Sequence, residues 1–405
     1  MFNLVNIKPL INTKVFEAIK VGKNQLQNRV VFVPSTRYRA LDDHTPSDLQ
    51  LQYYDDRSKD PGTLIITEGV LATDKTGSAS RAPAIITEKH VQEWKKITDK
   101  IHENQSFASL QLWALGRVAD AALSKKEGQQ LKGVSAIYSD EAYEKKAKEA
   151  GNELEAYTTE ELDQLVEELT DAAKRAVDAG FDYVELHGAT GYLFNQFFEA
   201  SSNKRTDKYG GSVENRSRFT LNVIDRISEE IGADKVAIRF SPWLQFNGMK
   251  SSKDEVHPLV TYGYILSELQ KRADAGKALA YVSLIEPRIP EMLFGEDRDA
   301  SNDFVKLIWK GTLIRSGNYT YDVPEFKDLL KDLEDGRTLA GFSRYFIANP
   351  DLVNRLRDGK SLNKYDRSTF YTNQNWGYNT YPNADEEESF DEEAERTREA
   401  APIAN

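Results

Sequence analysis

The chain is predicted to fold as an α/β protein, a single (β/α)8 barrel. Three features carry this: eight apolar strand-like runs in series, amphipathic helical stretches between them, and polar clusters just after the strands. The runs cover residues 30–33, 63–67, 107–113, 183–186, 236–240, 280–285, 313–314 and 339–342. Strands alternating with helices read as βαβ units and a parallel sheet, and eight units over 405 residues favour a closed barrel over an open sheet.

Helical periodicity places helices over 88–102, 159–179, 213–231, 261–275 and 323–333. The second of these has Thr158 as its N-cap, Glu160 and Glu161 in its first turn, and Gly180 as its stop. Three segments fall outside the repeat. Residues 16–28, with Val21-Gly22-Lys23-Asn24, read as a hairpin before the first barrel strand. Residues 125–158 form a long charged insertion after strand three, read as a cap over the active face. Residues 385–399 are dense in Glu and Asp and read as a solvated helix or disordered terminus. The barrel domain is taken as residues 1–381 and the acidic tail as 382–405.

Hydrophobic content of 40%, with 10% aromatic residues, is ample for a packed core. A net charge of −12, without a basic stripe, argues against nucleic-acid binding. The absence of cysteine excludes disulfides, thiolate metal sites and a cysteine nucleophile, and no metal is called for. The amino terminus lacks a charged region followed by an apolar one, and no apolar stretch is long enough to span a bilayer. A cytoplasmic protein without membrane contact is expected.

The chemistry is expected at the carboxyl ends of the strands. The run Tyr183-Val184-Glu185-Leu186 is followed by His187-Gly188-Ala189-Thr190-Gly191-Tyr192. His187 and Thr190 are placed to grip an oxygen, and Tyr192 to deliver a proton. Each has a plainer reading, His187 as a structural histidine and Tyr192 as a core aromatic with a satisfied hydroxyl. Other strand ends bring Pro34, Ser35 and Thr36, then Gly69 after strand two, then Gln111 and Trp113. Arg239 stands inside the apolar run of strand five, where it needs either an internal salt bridge or an anionic ligand. Gly317 and Asn318 follow strand seven, and Ser343 and Arg344 follow strand eight, where barrels commonly bind phosphate. A phosphorylated ligand with an uncharged planar portion near Gln111 and Thr36 would fit.

These residues resemble the Old Yellow Enzyme family of FMN-dependent ene-reductases, particularly its fungal members. The likeness is carried by Pro34-Ser35-Thr36-Arg37-Tyr38-Arg39-Ala40, Gln111-Leu112-Trp113, His187 through Tyr192, residues 203–212, Arg239 and Asn349-Pro350-Asp351-Leu352. It continues through Leu362-Asn363-Lys364-Tyr365-Asp366-Arg367 and Phe370-Tyr371, so it spans about residues 16 to 381. The resemblance implies an FMN cofactor over the barrel mouth and reduction by NADPH. It gives Thr36 and Gln111 to the flavin ring, with Pro34, Ser35 and Gly69 around it, and Arg239 to the pyrimidine end. It gives Gly317, Asn318, Ser343 and Arg344 to the phosphate. His187 and Thr190 then bind the substrate oxygen, Tyr192 is the proton donor, and Trp113 and Tyr371 shape the substrate pocket.

Implied substrates are activated alkenes, with phenols or steroids as further ligands and a homodimer left open. Thr190 departs from the family, which usually has Asn or His there. Its hydroxyl is a shorter donor that rotates to the nearest acceptor, so weaker carbonyl activation or a shift toward bulkier substrates is expected. Two rivals stand beside the ene-reductase. One is an FMN-containing phenol- or steroid-binding protein with weak turnover. The other is a non-redox phosphosugar enzyme, disfavoured because no strand-borne lysine is evident.

Overall fold

The computed structural model describes residues 4–288, 300–386 and 390–404. Eight parallel strands close into a barrel: β1 (Val30–Phe32), β2 (Leu64–Leu71), β3 (Phe107–Trp113), β4 (Tyr183–Gly188), β5 (Val236–Phe240), β6 (Tyr281–Ile285), β7 (Leu313–Ser316) and β8 (Thr338–Phe342). The ring closes where β8 pairs with β1, Gly341 opposite Val31. A helix follows each strand: α1 (Asp48–Arg57), α2 (Glu88–Glu103), α3 (Thr159–Asp178), α4 (Val213–Ile231), α5 (Pro258–Asp274), α6 (Asp303–Ile308), α7 (Lys327–Asp332) and α8 (Leu352–Asp358).

The strands read as continuous apolar runs because both faces are buried. One face builds the interior, where Val31, Leu64, Ile66, Ala237, Ile314 and Leu339 meet. The other packs the helices through residues such as Trp94, Leu165, Phe219 and Ile224. The interior cluster continues into a hairpin, Ile19–Val21 against Asn24–Leu26. Its Ile19, Val21 and Leu26 plug the amino-terminal end, and the Tyr183 hydroxyl donates to the Val21 carbonyl at 2.8 Å. Gly22 turns the hairpin at φ 53°, and a Cβ there would stand 2.3 Å from the Asp234 carbonyl oxygen. Only glycine fits. With that end sealed, the carboxyl ends are left to form the cavity.

Helix α3 shows why its sequence folds locally. Thr158 Oγ1 accepts from the Glu161 amide at 3.1 Å, and Glu161 Oε2 accepts from the Thr158 amide at 2.8 Å. That reciprocal box starts the helix, and Leu162, Leu165, Val166, Leu169, Ala173 and Ala176 form its buried stripe.

Several bounds differ from those read in the sequence. Strand β2 runs on to Leu71, so Glu68 and Gly69 lie within it rather than after it, and its register with β3 slips between Ile66 and Gly69. Helix α7 starts at Lys327 rather than 323, because Phe326 sits in the left-handed region at φ 53° and cannot continue a helix from Pro324. Helix α5 starts earlier, at Pro258, which suits the first helical position after the His257 cap. Helix α1 escaped the periodicity because it buries Gln50 and Arg57 beside Leu49, Tyr53 and Tyr54.

The charged insertion contains the helix Glu141–Ala150 and a small ribbon of Lys132–Gly133 beside Glu155–Ala156. In the tail, the helix Glu392–Thr397 is solvated, but the chain after it is not free. Beyond the stretch 385–399, Ala401 donates its amide to Asp48 at 2.8 Å and Ile403 is buried on the outer core. Residues 387–389 and Asn405 of that tail lie outside the described residues. No helix among the described residues is long and apolar enough to cross a membrane.

Replacing Thr158 with Ala removes one half of the α3 box. The expected loss is about 1 kcal/mol in chemical denaturation. An unchanged midpoint would show that the box contributes nothing.

Candidate active site

A cavity of about 1220 Å³ opens at the carboxyl ends of the strands. The turns after β1, β7 and β8 supply Pro34, Ser35, Thr36, Gly317, Asn318, Ser343 and Arg344. Strands β3 and β5 supply Gln111, Trp113 and Arg239, and the segment beginning at the end of β4 supplies His187, Thr190 and Tyr192. Tyr371 completes the set from a half-wrapped segment near the carboxyl terminus, where it is 66% exposed. Gly69 does not reach the wall. A Cβ there would come 2.8 Å from the Trp113 indole, so its bare backbone makes room for that ring.

The floor is built from donors. Arg239 is paired across strands with His187, and its Nε has no hydrogen-bond partner. The nearby Glu185 carboxylate acts on it through the Coulomb field, against burial that lowers its pKa. The salt-bridge reading of Arg239 is therefore not met by a hydrogen-bonded pair. His187 Nδ1 and Trp113 Nε1 are also buried without partners. Gln111 is better held: its Nε2 donates to Glu185 Oε1 at 2.7 Å and its amide donates to Thr67 Oγ1 at 3.1 Å. Burial pushes Glu185 up to about 7, opposed mainly by Arg239. Burial, helped by Arg239, drives His187 well below its usual value, so the imidazole is neutral.

The turn after β4 is fixed from several sides. The Thr190 amide donates to Ser241 Oγ, its carbonyl accepts from Asn247 Nδ2, and the Gly191 amide donates to Asn195 Oδ1, each at 2.9 Å. Gln196 Nε2 donates to the Gly191 carbonyl at 2.8 Å. These bonds hold Thr190 at φ 54°, a conformation that β-branched residues rarely adopt. The result sets Thr190 Oγ1 3.4 Å from His187 Nε2. The Tyr192 ring stands edge-on to His187 at 4.8 Å and to Trp113 at 5.1 Å. Burial and the neighbouring Tyr38, Tyr143 and Tyr371 raise the Tyr192 hydroxyl above its ordinary value. It remains a protonated donor at neutral pH.

At the other end, the β1 and β8 turns are tied together by Ser35 Oγ and Ser343 Oγ, 2.7 Å apart. Arg344 Nη1 donates to the Tyr365 hydroxyl at 3.3 Å. Gly317 packs on Glu286, where a Cβ would come 2.9 Å from that side chain's Cβ. Several wall or floor residues were missed by sequence reasoning, among them Glu185, Tyr38, Tyr143 and Asn247. Glu185 was visible as a carboxylate inside an apolar run, and Tyr38 lies in a quoted motif. Tyr143 on the cap and Asn247 after β5 carried no signal in the sequence.

The NADH:flavin oxidoreductase / NADH oxidase family matches residues 14–363. The chain belongs to that family. It is therefore a flavin oxidoreductase, and FMN is its cofactor. It is 52% identical over 389 residues to a probable NADPH dehydrogenase of Candida albicans, covering 95% of this chain and 94% of that protein. It is 43% identical to enoate reductase 1 of Kluyveromyces lactis, covering 94% of this chain and 96% of that protein. The crystal structure of an Old Yellow Enzyme from a Pichia species superposes with a TM-score of 0.92 at 46% identity, over 98% of this chain and 100% of that one. The fold and family are those of Old Yellow Enzyme. The residues fit FMN: a floor of unpartnered donors and a cation suits an electron-rich ring, and a separate group of turns after β7 and β8 suits a phosphate.

Thr190→Asn places at φ 54° a residue that tolerates the left-handed region. The FMN-loaded variant is expected to gain about 1 kcal/mol in stability. A lower melting temperature would show that the turn is not strained.

Proposed function

We propose that the protein is an NADPH-dependent ene-reductase acting on activated alkenes: enones, enals and nitroalkenes. The chemistry FMN supplies when bound is hydride transfer, accepted from NADPH and delivered to the β-carbon of the alkene. Thr36, Gln111 and Arg239 would hold the flavin ring beside Pro34 and Ser35. Gly317, Asn318, Ser343 and Arg344 would hold the phosphate.

The observation that carries the reading is the His187–Thr190 pair, 3.4 Å apart on one wall, with Tyr192 beside it. Two donors on a carbonyl or nitro oxygen draw electron density from the conjugated double bond and stabilise the charge that develops on oxygen. His187 does this as a neutral imidazole, which keeps one N–H to donate. Tyr192, kept protonated by burial, then gives its proton to the α-carbon. Trp113 and Tyr371 shape the space around the alkene. The named activities of the Candida and Kluyveromyces relatives support the same reading. The donor pair also suits a phenol oxygen, so phenols and phenolic steroids should bind in competition with the alkene.

An anaerobic titration tests this directly. Protein bleached by NADPH should recover its oxidised flavin bands when cyclohexenone is added. Persistent bleaching with every enone and nitroalkene would overturn the proposal. Thr190→Asn, which restores an amide donor, should speed that recovery; a slower return would contradict the role given to residue 190. Tyr192→Phe should leave reduction by NADPH intact and slow the alkene step by about 10²–10⁴-fold. Because the Tyr192 pKa is raised, the native alkene step should stay flat from pH 7 to 10, losing its proton donor only above that range. A decline centred below pH 10 would contradict the assignment.

A further inference from the structure

Behind the turn after β7 the protein gathers charges that the chemistry above does not use. Ile314 of that strand points into the barrel, so Arg315 points outward to the helix layer, on the same side as Leu313. It is buried there, where an unpaired guanidinium would be costly. Its Nε and Nη2 donate to the two carboxylate oxygens of Glu286, just after β6, at 2.7 and 3.0 Å. Its Nη1 lies 2.8 Å from the carboxylate of Asp332, the last residue of α7. Asp332 also accepts from Arg288 at 2.7 Å and from the Tyr319 hydroxyl at 2.9 Å. Asp303 and Asp328 stand at the edge, 3.2 Å from Arg315 and 3.5 Å from Arg288.

We propose that this ion cluster is the positioning element of the Gly317-Asn318 turn, and that the fork from Arg315 to Glu286 makes the protein prefer a flavin carrying a phosphate to one without it. The proposal rests on the reading that this turn binds the FMN phosphate. Each residue along the turn is tied to the cluster. The Glu286 amide donates to the Ser316 carbonyl at 2.8 Å. Gly317 lies so close behind it that a Cβ there would stand 2.9 Å from the Glu286 Cβ. Asn318 Nδ2 donates to the Arg288 carbonyl at 3.3 Å. Tyr319 comes next, with the Arg288 guanidinium 5.0 Å from its ring centre. Asn318 itself is held at φ 53°, a sparsely populated conformation that the surrounding ties must maintain.

The cluster acts by shape rather than by charge. Ser316, Gly317, Asn318 and Tyr319 line the cavity, while Glu286, Arg315 and Asp332 stand behind them. Glu286, Asp303, Asp328 and Asp332 outnumber Arg288 and Arg315, so the field of the cluster opposes a phosphate instead of attracting it. Buried ion pairs add little net stability over apolar residues of the same volume, but they fix the geometry of the groups they join. A turn fixed in this way meets the phosphate with its donors already in place, and bonds to an anion reward that alignment more than neutral ones do.

The test equilibrates the full-length holoenzyme with equimolar FMN and riboflavin until the bound composition stops changing, then extracts and quantifies the bound flavins. The native protein should hold FMN over riboflavin by at least about a hundredfold. Glu286→Gln combined with Arg315→Met leaves the summed charge of the cluster unchanged and removes the fork, so that preference should fall by at least about tenfold. Riboflavin affinity, read from the fluorescence of flavin released on dilution, should stay within about threefold, because the ring floor shares no partners with the cluster. Arg315→Lys keeps the charge without the fork and should lower the preference by at least about threefold. It decides alone if the double variant does not fold. An unchanged preference, or an equal loss of both flavins, would overturn the proposal. Equal binding of FMN and riboflavin by the native protein would overturn the phosphate reading of the turn, and the proposal with it.

Discussion

Arg239 carries a positive charge on the inner face of the barrel, and its Nε has no hydrogen-bond partner. Taking such a group out of water is costly, and a guanidinium offers only donors. Much of the floor follows from that one charge. It helps hold His187 neutral, and it opposes the burial that pushes Glu185 up. Glu185 in turn accepts from Gln111 and fixes its amide. The floor is thus arranged around a cation whose natural complement is a planar, electron-rich ligand that gains negative charge when reduced.

The barrel makes this arrangement affordable in space as well as charge. Sealing the amino-terminal end with Ile19, Val21 and Leu26 confines the cavity to the other end. Close strand packing matters at the site too: a Cβ on Gly188 would stand 2.9 Å from the Arg239 carbonyl oxygen. The turn that follows is held by Ser241, Asn247, Asn195 and Gln196, drawn from the loop after β5 and the short helix beyond Tyr192. That over-determination is what permits a threonine at a left-handed position, a strain that the surrounding bonds oppose.

The barrel was legible because parallel strands buried on both faces give unbroken apolar runs, and β3 and β5 match their sequence bounds. The polar residues at strand ends were legible for a related reason, since each interrupts or closes such a run. What failed to show were polar residues whose partners are distant in the chain. Arg37 and Arg39 stand in the motif around Thr36 with no sign in the sequence of what they hold, and both are fully buried. They donate to the carbonyls of Phe370 and Thr369, with Arg37 also reaching Gly377. They thereby fasten the segment that carries Tyr371 to the start of the barrel. Helix α1 and the docking of Ala401 on Asp48 were hidden in the same way. Gly69 was legible as a glycine near a strand end, but the close approach of the Trp113 ring to its bare backbone was not.

The most direct test of this account is the reduction potential of the bound flavin in native protein and in Arg239→Met, which keeps the side chain's bulk and removes its charge. If the cation stabilises negative charge on the reduced ring, the variant's potential should fall by about 30 mV or more, the equivalent of about 1.4 kcal/mol for two electrons. An unchanged or higher potential in a variant that still retains its flavin would contradict the role given to Arg239.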